Sequence, residues 1–295
     1  MPEPPWQKVT GAVNLLDMDM RGGLRVRSSG GVSIEVHDLG GHGEPLLICH
    51  AVGFCGRAYE PLASELSELF HVWAMDFRGH GLSDVPADGD FSWDRMSEDA
   101  RAAVLAIAPE GVKVFGHSMG GAAALLAEAR WPGTVTAAYV YEPAIVQAAV
   151  PAELERMMVE RTRRRSAAFA SREEARVYLA ARPPYSSWRG DCLDAFVEHG
   201  FADRPDGSVE LRCTAEHEAL CYASPTSSIA DVADVRIPLA VALGLGPDIF
   251  NATPAARALS AAIPPARLVE HAELSHFGPF EDPVAVAKAA RTALI

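Results

Sequence analysis

The stretch Gly116-His117-Ser118-Met119-Gly120, followed by Gly121, sets one hydroxyl among glycines. A short apolar run, Val112 to Phe115, leads straight into it, and the alanine-rich stretch Ala122 to Arg130 follows. Strand, sharp turn and helix in that order force the serine into a strained backbone conformation and lift its hydroxyl above the sheet. The Met119 N–H then opens the helix, where it can stabilise negative charge. Ser118 is therefore the candidate nucleophile. A serine hydroxyl is weak at neutral pH and needs a base. His276, in Leu274-Ser275-His276-Phe277, lies after the last strand-like run and just before a Pro-led helix, in the kind of loop where ligand sites gather in open α/β sheets. His271 ends the strand itself and reads as structural.

The elements that must position these groups are legible as alternation. Leu24 to Arg27 and Val32 to His37 read as an opening hairpin turned by Gly30-Gly31. Strands are predicted over Pro45 to His50, His71 to Asp76, Val112 to Phe115, Ala137 to Tyr141, Ile237 to Leu243 and Arg267 to His271. Helices are predicted over Tyr59 to Glu68, Met96 to Ala108, Ala122 to Arg130, Thr253 to Ala262 and Pro283 to Ala293. That pattern is α/β, a parallel sheet covered by helices. From about Val150 to Asp234 the strand signal almost disappears and helical segments dominate. The reading is a core of residues 1–149 and 235–295 with a helical cap of residues 150–234 inserted over the sheet.

A net charge of -13 across 295 residues disfavours nucleic acid and anionic lipid as partners. The basic run Arg161 to Arg165 reads as the solvated face of a helix. Five cysteines without a CxxC pair suggest neither a disulfide framework nor a zinc site, and no metal-binding or phosphate-cradling motif is present. No signal-peptide pattern opens the chain and no apolar run spans a bilayer, so a cytoplasmic protein needing no cofactor is expected.

With these residues in view, the chain resembles the α/β-hydrolase superfamily over nearly its whole length. His50 to Gly53, Asp76-Phe77-Arg78-Gly79-His80-Gly81-Leu82-Ser83, Gly116 to Gly121 and His276 carry the likeness, and the DxRGHGxS stretch is specific to the superfamily. Its esterase, lactonase, C–C hydrolase and cofactor-free haloperoxidase branches are the most similar. The resemblance implies an α/β-hydrolase fold, a mostly parallel central sheet flanked by helices with an inserted cap. It implies that Val52 supplies the second oxyanion N–H beside that of Met119. Ala51 stands where glycine is usual. The implied acid is Asp248, after the next-to-last strand, with Glu142 as the alternative after an earlier strand. Asp76 to Ser83 is implied to shape the loop beneath the site, with no chemistry assigned to Arg78 or His80.

The expected reaction is hydrolysis of a small to medium carboxylic ester or lactone by acyl transfer. C–C bond hydrolysis, perhydrolysis or cleavage of a carrier-linked thioester would use the same groups, and a non-catalytic binding protein on this fold is the alternative of another class. Phe54, Trp188 and Tyr222 are the candidates to touch a small apolar substrate. Met157, Met158, Phe169, Tyr178 and Phe196 read mainly as cap core. Homodimerisation is left open.

Overall fold

The computed structural model describes residues 15–18, 23–145, 152–224, 227–247 and 253–295. The apolar runs pair as strands β1 (Leu15–Met18), β2 (Gly23–Arg27), β3 (Ser33–Gly41), β4 (Glu44–Cys49), β5 (Phe70–Asp76), β6 (Val112–His117) and β7 (Val135–Tyr141). Three short strands follow, β8 (Ala168–Phe169), β9 (Phe201–Asp203) and β10 (Val209–Leu211), and then β11 (Leu239–Gly244) and β12 (Ala266–His271). Nine of them form one sheet in the order β1-β2-β3-β5-β4-β6-β7-β11-β12, antiparallel at the β1 end and parallel from β5 onward. Every residue of β11 is buried, as a parallel strand covered on both faces requires.

Five helices cover the sheet: α1 (Glu60–Leu66), α2 (Trp93–Ile107), α3 (Met119–Arg130), α9 (Thr253–Ala262) and α11 (Pro283–Leu294). Small residues let α3 bury itself from Met119 to Glu128, which explains why it is alanine-rich on all sides. Between β7 and β11 lie α4 (Ala152–Arg163), α5 (Arg172–Ala180), α6 (Gly190–Gly200), α7 (Ala215–Ala223) and α8 (Ile229–Val232). The chain ends with α9 (Thr253–Ala262), α10 (Gly278–Glu281) and α11 (Pro283–Leu294). Two apolar layers result. One lies under α2, α3 and α9; the other lies under α1 and α11 and is continuous with α5 and α6.

The segment between β7 and β11 differs in one respect from its sequence reading. Besides helices it holds a three-stranded antiparallel sheet, β8-β10-β9. Strands of two or three residues are too short to show a period of two, so no alternation signals them. Met157, expected in the cap core, is 58% exposed, whereas Phe169 and Phe196 are buried. No helix among the described residues is long and apolar enough to cross a membrane.

The sheet order also sets where a site can form. The chain leaves β4 toward β5 on one side and returns to β6 on the other, so the loops after β4 and β6 diverge and open a crevice at the strands' carboxyl ends.

Candidate active site

Register brings the candidate residues to one end of the sheet. Cys49 pairs with Gly116, His117 with Tyr141, and Tyr141 in turn with Ala242. The residues that follow these strand ends therefore stand side by side. Ser118 has φ 52° and ψ -118°, a conformation costing on the order of 1–3 kcal/mol for a side chain with a Cβ. Its N–H bonds the Tyr141 carbonyl (2.9 Å) and its carbonyl accepts from Ala122 and Ala144 (3.2 and 3.1 Å), which hold the strained turn. A Cβ on Gly116 would come within 2.5 Å of the Gly121 Cα, and one on Gly120 would overlap the Cys49 carbonyl. Glycine at both positions is what lets the turn close onto β4.

Among the described non-glycine residues only Ser118 and Glu142 have positive φ, the latter 43°. Glu142 is buried, and its two oxygens are both used. Oε1 accepts the Gly244 N–H at 2.9 Å, and Oε2 lies 2.7 Å from His276 Nδ1. His276 is itself buried, at 6% exposure. A carboxylate on Nδ1 orients an imidazole and stabilises its cation. Gly244 must lack a side chain, since a Cβ there would run into the Leu274 carbonyl of the histidine loop. That loop is clamped from below: Glu281 accepts from the Ser275 N–H and hydroxyl (2.8 and 2.7 Å), and the Tyr141 hydroxyl donates to the Ser275 carbonyl (2.8 Å). Asp248, the acid expected first, lies outside the described residues. The geometry on Nδ1 belongs to Glu142, the alternative. His271 bonds the Tyr139 hydroxyl at 2.8 Å, in keeping with a structural part.

The loop after β4 is held by histidines. His50 donates from Nδ1 to the Ala51 carbonyl (2.7 Å) and accepts the Phe77 N–H on Nε2 (3.0 Å). His80 donates to the Arg78 carbonyl (2.9 Å) and accepts the Gly53 N–H (3.2 Å). Burial outweighs the pull of the nearby Asp76 carboxylate and lowers both imidazoles, His50 to about 4 and His80 to about 3. Burial alone would raise the Asp76 carboxyl, yet the His37 imidazole bonded to it at 2.9 Å holds it at about 2. Asp76 also accepts from the amides of Gly56 and Leu82, and Arg78 is paired with Asp99. The DxRGHGxS stretch thus braces the loop, as the resemblance implied. Ala51 fits in place of glycine because its φ is not positive. Neither the Val52 nor the Met119 amide donates a hydrogen bond among the described residues, which leaves both N–H groups open to a ligand.

His117 is the residue that sequence reasoning missed. It is the variable position of the motif, so no pattern marks it. In the fold the Ala51 N–H donates to the Tyr59 hydroxyl (3.1 Å), which donates to His117 Nδ1 (2.7 Å), and His117 Nε2 donates to the His276 carbonyl (2.8 Å). This buried chain ties the loop after β4, the elbow and the histidine loop together. Burial keeps the His117 imidazole neutral, far below its ordinary value, as this bonding requires.

Of the residues expected to touch substrate, Phe54 and Trp188 meet, with ring centroids 5.6 Å apart. Both also pack on Phe277, which abuts the His276 ring at 5.3 Å. Tyr222 is not part of that cluster; it lies partly buried beside Glu218 and Arg165. A groove of about 400 Å³ between the β11–β12 edge and α11 is lined by none of these residues. Among the described residues no group of three or more His, Cys, Asp or Glu is placed to hold a metal ion, and all five cysteines are free and buried.

Known proteins share this arrangement of elements. The 2-(acetamidomethylene)succinate hydrolase of Mesorhizobium japonicum is 25% identical over 230 residues, covering 77% of this chain and 80% of that protein. The N-formylmaleamate deformylase of Pseudomonas putida is 28% identical over 103 residues, 35% of this chain and 38% of the relative. A crystal structure of E-2-(acetamidomethylene)succinate hydrolase superposes with a TM-score of 0.75 at 23% identity, over 92% of this chain and 98% of the other. The model of the alpha/beta hydrolase family matches residues 46–289, most of the chain. With the elbow, the sheet order and this match in agreement, the chain belongs to the alpha/beta hydrolase family.

Proposed function

We propose that this protein is a serine hydrolase that cleaves a small to medium carboxylic ester or lactone through an acyl-enzyme on Ser118. The observation that carries the reading is the buried Glu142–His276 pair, 2.7 Å apart, at the same sheet end as a serine held at φ 52°. His276 takes the Ser118 proton as the hydroxyl oxygen attacks the carbonyl carbon. The oxyanion rests on the amides of Val52 and Met119. His276 then returns the proton to the leaving alkoxide, and water, activated by the same imidazole, releases the acid. Glu142 replaces Asp248 as the acid in this assignment. The Phe54–Trp188–Phe277 cluster supplies an apolar wall for the substrate.

The names of two relatives, a succinate-derivative hydrolase and a maleamate deformylase, denote small acid derivatives and favour a compact substrate over a long acyl chain. The thioesterase alternative wants an unpaired basic rim for an acidic carrier, whereas Arg163 and Arg164 are paired with Glu216 and Glu160. A non-catalytic scaffold has no use for two strained residues, each costing on the order of 1–3 kcal/mol, at one strand end. The net charge of -13 fits a protein that takes neither nucleic acid nor anionic lipid as a partner.

Labelling with a fluorophosphonate tests the core of the proposal. The intact chain should be labelled stoichiometrically and Ser118→Ala not at all. Equal labelling of both, or of neither, would end it.

A further inference from the structure

The basic run Arg161 to Arg165 does not behave as one surface. Arg163 and Arg164 pair with glutamates in solvent, but Arg165 turns inward onto Glu218 of α7, which is 8% exposed. Thr214, whose side chain caps α7, sets the helix start so that Glu218 faces the core. The Glu218 carboxylate stands 3.0 to 3.2 Å from where a Cβ on Gly53 would sit. Gly53 follows Val52, the proposed oxyanion donor. A guanidinium is thus held one carboxylate away from the place where the acyl group must lie.

We propose that Arg165, held by Glu218, is a carboxylate-recognition subsite, so that the substrate is a short acyl compound bearing a second, free carboxylate. The acyl half of this inference rests on the serine-hydrolase reading; the anion subsite does not. Three observations carry it. Nη1 of Arg165 bonds one oxygen of Glu218, and Glu218 is the only hydrogen-bonding partner of the guanidinium among the described residues. The side chain keeps 21% of its surface accessible, and Nη1 is the one donor of its planar fork with a hydrogen bond among the described residues. The pair is also a poor device for stability alone, because desolvating two charges offsets most of their attraction.

The chemistry around the pair agrees. Left bare, Glu218 would oppose the developing oxyanion beside it, and Arg165 cancels that charge. Tyr185 and Tyr222 lie within its field, and burial holds both hydroxyls protonated, as neutral donors. Burial pushes the Glu218 carboxyl up while Arg165 opposes the rise. An incoming carboxylate would therefore share the guanidinium with Glu218. The overall charge of -13 repels anions in general, so an inward-facing cation is the means by which one shape of anion is admitted.

Calorimetry on the intact chain measures this without any reaction, using succinate and neutral butanediol as probes. Succinate should bind roughly tenfold or more tightly than the diol. Arg165→Gln should erase that preference, and Arg165→Lys, which keeps the charge and the ion pair, should retain part of it. A succinate preference unchanged in Arg165→Gln, or no preference in the intact chain, overturns the subsite. Hydrolysis supplies the second arm. Arg165→Gln should raise KM for para-nitrophenyl hemisuccinate about tenfold and KM for para-nitrophenyl butyrate by no more than about twofold, while the bared Glu218 lowers kcat for both esters alike. An equal rise in KM for both esters means a structural part only and sinks the proposal. Arg165-dependent succinate binding with neither ester cleaved would leave the subsite standing and remove the serine-hydrolase reading.

Discussion

The strand-end loops and the segment between β7 and β11 handle their buried polar groups in opposite ways. Around Ser118, Glu142 and His276, side chains and backbone are bonded several times over: His50, His80 and His117 each use both ring nitrogens, and Glu142 uses both oxygens. In the other region this accounting fails. The buried side-chain atoms without a hydrogen-bond partner among the described residues are Arg172 Nε, which still has Glu198 at ion-pair distance (3.5 Å), Trp188 Nε1, His217 Nδ1 and Ser227 Oγ, and all four belong to the segment between β7 and β11. An orphaned buried donor costs about 1–3 kcal/mol, so it persists where something else gains from it. The difference teaches a division of labour. Over-determined bonds hold the strained residues still, while the segment between β7 and β11 leaves buried polar atoms without hydrogen bonds.

The largest expected effect breaks the determined region. Glu142→Gln should lower kcat/KM by about 10³ to 10⁴, since it removes the charge behind the imidazole while keeping its shape. Asp248→Asn should change it less than about threefold. The reverse order would return the acid to Asp248 and undo the assignment made from geometry. Steady-state kinetics with a folding control separates the two.

A smaller effect sharpens the same side of the comparison. Tyr59→Phe keeps the ring but removes the hydroxyl linking the Ala51 amide to His117. It leaves one amide and one imidazole nitrogen unsatisfied in the core. We expect kcat to fall about tenfold with KM within about twofold, because Tyr59 positions groups and touches no substrate. A loss in KM alone, measured on a neutral ester, would mean that the chain of bonds does not set the reacting geometry.

The smallest effect lies in the other region. Trp188→Phe removes an N–H that has no hydrogen-bond partner among the described residues and keeps much of the stacking on Phe280, now at 4.2 Å. It should raise KM by about two- to fivefold with kcat unchanged. A loss of thermal stability without a change in KM would show the orphan donor to be part of the packing, and the contrast between the regions would be false there.

How much of this was legible in sequence varies with the range of the interaction. The alternation of strands and helices, the elbow and the histidine loop are local patterns, and they recur in the fold within a few residues. The three-stranded sheet β8-β10-β9 was not legible, since strands of two or three residues carry no periodicity. Glu142 could be placed beside Asp248 but not above it, because both follow strands and only pairing across the sheet tells which faces the imidazole. The run Arg161 to Arg165 looked uniform, yet one of its members turns inward.

By itself the sequence determined where a hydroxyl could be strained and which histidine could serve it, because glycines around one serine and an apolar run before it admit few conformations. The tertiary structure alone decided which carboxylate meets Nδ1, that His117 and Tyr59 bind three loops together, and that Arg165 pairs with Glu218, whose carboxylate abuts Gly53. Those contacts join residues that are far apart in the chain. Hydrogen bonds and ion pairs depend on distances of a few ångströms, and only the register of the sheet and the docking of the overlying helices set such distances.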